Sequence, residues 1–399
     1  MSDRVRFYLE GSVKEIQDLK KRGIFEQDEL AKIMKRRTDY EHRLLSRTVK
    51  PEDFLSYVKY EGQVDRLRQL RIKRLKLSGK KSVSDWAGPR RINFTLERGT
   101  KRFPANLKLW MALVDYAHKN HSVNIVNRAL ASMLRLHPTN PDVWVYVAKF
   151  HVEQNANVPE ARAVLQRGLR FNPDSQFLWL EYMRLELIYV AKILARRKIL
   201  GIDHARKEEI AENEPVKQTE ANTEEELTSD DLARANQDTL RDLPDVNVDI
   251  LGDPETNPAL RGDVALVIYD AAAARFNKSP QSELEFGLKV LSLFDEFKSL
   301  NQMHLCSHVI DSLAERVQEN SETFETVEFL RVSLPLRNVE VDSPDFPDQL
   351  GLLFKVYGSS SKSVALKDSL RTLLAQKVLE SDSADENLKK AVRVFESKM

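Results

Sequence analysis

Three tryptophans, Trp110, Trp144 and Trp179, fall 34 and 35 residues apart, and a set of neighbours repeats with them. Each follows a proline by six residues (Pro104, Pro138, Pro173). Each is followed at +3 and +6 by large apolar residues: Leu113 and Tyr116, Val147 and Phe150, Tyr182 and Leu185. A leucine stands eight residues before each proline, at Leu96, Leu130 and Leu165. A period in the mid-thirties with proline punctuation predicts stacked helical hairpins. The +3 and +6 spacings place three bulky groups along one side of a helix, so Trp110, Tyr116, Trp144, Phe150, Trp179 and Tyr182 are read as repeat core. The fold class that follows is all-α, a superhelical solenoid of stacked antiparallel helical hairpins. Such arrays bind partners far more often than they transform substrates.

Each unit reads as a tryptophan-bearing helix, a turn, a leucine-bearing helix and a proline that ends it. Residues 161–169, Ala-Arg-Ala-Val-Leu-Gln-Arg-Gly-Leu, supply one such second helix, and its small residues Ala161, Ala163 and Gly168 admit a close neighbour. A stretched earlier copy begins at Phe54, with Tyr57 and Tyr60 at +3 and +6. Its second helix is expected from Trp86 to Thr100, with Ser84 or Asp85 as N-cap and Pro89 near the first turn. Between the two helices lies an insertion carrying Arg66, Arg68, Arg71, Lys73, Arg74, Lys76, Lys80 and Lys81.

Charge divides the chain. Residues 1–201 carry 40 Lys+Arg against 22 Asp+Glu, and the remainder carries 22 against 39. That asymmetry predicts a nucleic-acid or acidic partner for the first half and a basic one for the second. Cys306 is the single cysteine, which excludes an internal disulfide and points to a reducing compartment. No apolar run reaches the length that crosses a bilayer, and the first residues lack the apolar stretch of a secretory signal. Four regions are expected. Residues 1–50 form a helical region with helices near 3–21 and 26–45, and residues 51–201 form the repeat array. Residues 202–247 form an acidic flexible linker, since 203–231 hold eleven acids, three bases and few large apolar residues. Residues 248–399 continue as degenerate helical repeats, with helices near 281–298, 302–318, 321–332, 345–357 and 363–378, and a last one to about 397.

No catalytic constellation emerges, and neither a cofactor nor a metal is expected. His304 and His308 lie at i and i+4 with Cys306 between, a spacing that can hold a metal, yet no third ligand accompanies them. His118 and His121 fall at the end of a repeat helix, where capping explains them. The run Gly358 to Ser363 lacks the glycines a phosphate loop needs where Val356 and Ser361 stand. The eight cations of 66–81 are the candidate binding residues for RNA or an acidic partner. Interleaved Leu67, Leu70, Ile72, Leu75 and Leu77 suggest a helix that packs one side and offers its charges on the other. No cluster of exposed aromatics for stacking unpaired bases is evident in that stretch, which favours a protein partner.

The tryptophan helix, the Ala-Arg-x-x-Leu-x-Arg-Gly-Leu helix and the following proline resemble half-a-tetratricopeptide repeats, over residues 52–190. Two further segments narrow the resemblance. One is residues 6–41, with Arg6-Phe7-Tyr8-Leu9-Glu10, Gly23-Ile24-Phe25 and Ile33 to Glu41; the other is Glu255 to Leu266. Both are similar to the U3 small nucleolar RNA-associated protein 6 family. The resemblance implies a non-enzymatic, nucleolar subunit of the small-subunit processome that supports pre-rRNA processing toward 18S rRNA. It also implies WD-repeat propeller subunits of the processome B subcomplex as partners, with U3 small nucleolar RNA and pre-rRNA contacted directly or through them, and neither a membrane nor a small-molecule substrate. A scaffold of the same repeat type in messenger-RNA splicing or 3′-end formation, and a direct RNA-binding module, stay open.

Overall fold

A computed structural model of the 399-residue chain describes residues 2–76, 82–200, 257–276, 280–316, 322–339, 341–360, 363–379 and 386–398. The expected acidic linker 202–247 lies outside the described residues, as do Leu77, Lys80 and Lys81. All regular structure among the described residues is helical. The chain divides into two compact units, residues 1–147 and 148–399, with the division inside one helix of the array that the sequence reads as continuous.

In the first unit, α1 (Ser2–Lys21), α2 (Gln27–Leu45), α3 (Pro51–Arg74), α4 (Val83–Arg102), α5 (Leu107–Lys119) and α6 (Val123–Leu136) follow one another, and α7 (Pro141–Asn155) straddles the division. Local chemistry starts these helices. Pro51 opens α3, Asp53 accepts from the Lys50 amide at 2.8 Å, and Asn106 Oδ1 accepts from Leu109 N at 3.2 Å to cap α5. The N-cap of α4 is Ser82, two or three residues before the expected start, because Asp85 reaches back to the Ser82 amide at 2.9 Å. Pro89 therefore sits inside α4 and not in its first turn. From α1 to α6 consecutive helices pack on one another, and α1 also lies against α4.

The repeat signature has a common geometry. In all three copies the indole Nε1 donates 2.9 Å to the proline carbonyl six residues back: Trp110 to Pro104, Trp144 to Pro138, Trp179 to Pro173. Trp110, Trp144, Phe150 and Tyr182 are buried, as are Leu96, Leu130 and Leu165. Tyr116 and Trp179 are only half-buried, so the stripe is less enclosed at those two positions than its spacing suggests. Gly99, in the Arg-Gly pair before Pro104, is a close approach: a Cβ there would stand 3.1 Å from the Phe54 ring.

Buried ion pairs fasten the N-terminal helices. Arg37 of α2 bonds Glu61 of α3 at 2.8 Å and Glu15 of α1 at 3.2 Å, and Arg91 of α4 bonds the same two carboxylates. Burial pushes the Glu15 carboxyl up, but Arg37 and Arg91 outweigh it and hold the group below the usual carboxylate range.

In the second unit, α8 (Val158–Phe171) and α9 (Gln176–Leu200) are followed by the short α10 (Pro258–Arg261), α11 (Asp263–Phe276), α12 (Pro280–Asp295) and α13 (Gln302–Arg316). Then come α14 (Glu322–Arg337), α15 (Phe346–Ser359), α16 (Val364–Leu374) ending in a π turn at Ala375–Leu379, and α17 (Glu386–Lys398). Here α14 runs past Pro335, beyond its expected end near 332. The Lys377 ammonium, on the π turn, donates to the carbonyls of Leu336, Arg337 and Val339 that this end leaves open. In the 255–266 segment Asn257 Oδ1 caps Ala259 N at 2.9 Å, and Gly262 takes φ +89, a left-handed turn suited to glycine.

Candidate interaction surface on the first compact unit

The basic stretch proves to be less an insertion than the last turns of α3, which run on to Arg74. Its cations separate into two groups. Arg68 is buried and bonds Asp65 at 2.9 Å and Asp85 of α4. Arg71 grips Glu29 of α2 at 2.6 and 2.7 Å, donates to Ile24 O at 3.0 Å and lies 4.7 Å over the Phe25 ring. These two arginines bind the helix to its own neighbours and leave the candidate surface. Arg66, Lys73, Arg74 and Lys76 are exposed and have no ion pair among the described residues.

The expectation that the interleaved leucines pack inward is overturned for three of them. Leu67, Leu70 and Leu75 are exposed, Leu70 to 54%. The cause is position around α3: Val64 and Ile72 meet the cluster of Leu19, Ile24, Phe25, Leu30 and Ile33 and Arg68 pairs with Asp85 on the same side, while Leu67 and Leu70 fall on the other side and Leu75 is the C-cap. The surface is thus apolar and cationic together.

Exposed aromatics lie outside the basic stretch, on α4. Trp86, Arg90 and Phe94 stand at i, i+4 and i+8 on α4, opposite the buried Ile92 and Leu96, with Trp86 59% and Phe94 44% exposed. They border a hollow that also includes Pro89 and Asn93, and a neighbouring hollow holds Lys101, Trp110, Arg128, Arg135 and Leu136. Glu97 and Ile125 line both, so the two adjoin along α4 and α6. The acids here are occupied: Glu97 pairs with Arg128 at 2.6 Å, and Asp85 is shared by Arg22 and Arg68. Arg90, Lys101 and Arg135 have no ion pair among the described residues. Asn93 is 7% exposed, and its Oδ1 has no hydrogen-bond partner. The signal for this ridge was present in the sequence, since the buried positions of α4 leave 86, 90 and 94 on one outward stripe.

The remaining chemistry-bearing residues do not converge. His304 Nε2 lies 2.8 Å from Asp263 Oδ1, and His308 Nε2 lies 3.0 Å from Asp270 Oδ1, so both imidazoles fasten α13 to α11. Burial pushes the Cys306 thiol up to about 12, which removes the thiolate a nucleophile needs. Among the described residues, no group of three or more His, Cys, Asp or Glu side chains could hold a metal ion. His121 takes φ +54 just after α5 and terminates it.

Residues 9–91, from within α1 to within α4, match the model of the U3 small nucleolar RNA-associated protein 6 family. The U3 small nucleolar RNA-associated protein 6 of Schizosaccharomyces pombe is 33% identical over 318 residues, 79% of this chain and 62% of that protein. The chain belongs to the U3 small nucleolar RNA-associated protein 6 family. The mouse homologue is 28% identical over 193 residues, 48% of this chain and 32% of its own length. Pre-mRNA-splicing factor 6 of Saccharomyces cerevisiae is 31% identical over 114 residues, 29% of this chain and 12% of its own. The chain spans less than two thirds of the length of these relatives.

Proposed function

We propose that this chain is a non-enzymatic scaffold subunit of the U3 small nucleolar ribonucleoprotein, the small-subunit processome. In this reading it acts in the nucleolus and supports pre-rRNA processing toward 18S rRNA. The observation that carries the proposal is the family match across the four helices that the Glu15–Arg37–Glu61–Arg91 network ties together. WD-repeat propeller subunits of the processome are the proposed partners. The exposed face of α3 supplies a suitable docking element, because Leu67 and Leu70 bury area while Arg66, Lys73 and Arg74 meet acidic groups. U3 RNA and pre-rRNA are reached directly or through those partners.

A scaffold in splicing is the second reading, and the likeness to Pre-mRNA-splicing factor 6 favours it. That likeness covers 29% of the chain against 79% for the small nucleolar RNA-associated relative, which is why it ranks second. Affinity purification of the tagged full chain from cells, with RNA and protein identified together, tests both. U3 RNA and WD-repeat proteins are expected. Recovery of spliceosomal RNAs without U3 would transfer the assignment to splicing.

A further inference from the structure

The groove along α4 combines features that the scaffold reading does not use. We propose that it binds single-stranded nucleic acid, with unpaired bases stacking on Trp86 and Phe94 and phosphates facing Arg90, Lys101 and Arg135.

The argument begins with spacing. Trp86 and Phe94 are eight residues apart on one helix, about 12 Å along its axis, with Arg90 one turn from each. Alternation of exposed rings with a cation matches a strand that alternates bases with phosphates. Charge points the same way. Glu97 and Asp85 are neutralised by Arg128, Arg22 and Arg68, so the charge left without an ion pair among the described residues is positive, as a polyanion requires. A buried acceptor completes the site. Asn93 lines the hollow with Trp86 and Phe94, and its buried Oδ1 lacks a donor. An unsatisfied buried oxygen is costly, and an exocyclic amino group of a base supplies the missing N–H. A duplex would present the phosphates but keep its bases from the rings. An acidic peptide would meet the same cations and yet gain less from the exposed parts of the two rings, Trp86 at 59% and Phe94 at 44% exposure, although Phe94 also contacts Tyr8 and Arg98.

The inference goes beyond the scaffold reading and fails separately from it, since U3 recovery from cells can be carried by protein partners alone. The test uses the purified full chain and a fluorescent oligocytidylate of about 20 nucleotides, whose bases carry the exocyclic amino group, with anisotropy read at several salt concentrations. Trp86→Ala and Phe94→Ala should each weaken binding about tenfold or more, as loss of one stacking contact does. Arg90→Gln should flatten the salt dependence by about one unit of slope. Thermal unfolding of Arg90→Gln should match the parent, whereas Phe94→Ala also gives up the ring's contacts with Tyr8 and Arg98 and should unfold somewhat earlier while staying folded at the assay temperature. Duplex RNA should bind more weakly than the single strand. Absence of oligonucleotide binding by the parent, or unchanged affinity in both aromatic variants, would overturn the proposal. Selective binding of a polyglutamate peptide, weakened by Trp86→Ala, would reassign the groove to an acidic protein segment.

Discussion

The indole Nε1 of Trp144 donates to the carbonyl oxygen of Pro138 at 2.9 Å, and the copies at Trp110 and Trp179 repeat the bond to Pro104 and Pro173. The six-residue spacing is therefore a hydrogen-bond requirement as well as punctuation. The proline ends the preceding helix, its carbonyl lies in the turn, and the next helix returns a donor to satisfy it. Trp144→Phe keeps an aromatic ring and removes the donor, so it should cost about 1–2 kcal/mol, whereas Trp144→Ala should cost about 3–5 kcal/mol through the space it empties. Denaturant unfolding separates the two. A Phe variant as stable as the parent would show that the bond contributes nothing.

Arg37 is 1% exposed and shares Glu15 and Glu61 with Arg91. Arg37→Met leaves two buried carboxylates with one counter-charge and should destabilise the first unit by about 3–5 kcal/mol. A loss under about 1 kcal/mol would mean that water reaches the network and screens it.

Acid should unfold the first unit through its carboxylates. Glu29 is lowered to about 2, chiefly by hydrogen bonds from Arg71, and Glu15, Asp18 and Asp85 are also held below their ordinary values. A depressed carboxylate stabilises the fold above its unfolded value, near 4, and that stabilisation is lost as pH falls through its folded value. Stability should thus decline from about pH 5 downward, most steeply between about 4 and 2. Glu29→Gln should lessen the slope only modestly, because the pair is partly solvent-screened. Urea midpoints at stepped pH measure this, and midpoints that stay flat from 5 to about 2 would contradict it.

The hairpins were legible because tryptophan, proline and leucine recur at one period, and periodicity survives without knowledge of neighbours. The surface was less so. Nothing local to the sequence says that the Val64, Arg68 and Ile72 side of α3 is the one that meets its neighbours, and that choice leaves Leu67 and Leu70 exposed. Likewise Arg68 and Arg71 belong inside only because Asp85 and Glu29, distant in sequence, come to meet them. Helical pattern is a local property; which cation finds an acid is a property of the packed fold.

The helix ends at His121 and Ala156 adopt left-handed backbone, with φ of +54 and +50. An alanine there carries a steric cost of about 1–2 kcal/mol that glycine avoids, offset in part by glycine's greater freedom when unfolded. Ala156→Gly should accordingly raise stability by about 0.5–1 kcal/mol, an unusual sign for this substitution. A lowered unfolding midpoint would mean that the Ala156 methyl makes packing contacts worth more than the strain.

The division of the basic stretch yields the last prediction. Changing Arg66, Lys73, Arg74 and Lys76 to glutamine removes only exposed charges without an ion pair among the described residues, so the fold should keep its stability to within about 0.5 kcal/mol. Changing Arg68 and Arg71 instead breaks contacts to Asp65, Asp85 and Glu29 and should destabilise the first unit. If the α3 face docks an acidic protein surface, the four-residue variant should release that partner from purified assemblies while oligonucleotide binding by the isolated chain is little changed. Leu70→Ser should release the same partner, because the proposed contact includes the exposed apolar side chains of Leu67 and Leu70 and RNA would be indifferent to them. Retention of every protein partner by both variants would remove the α3 face from the scaffold's working surface.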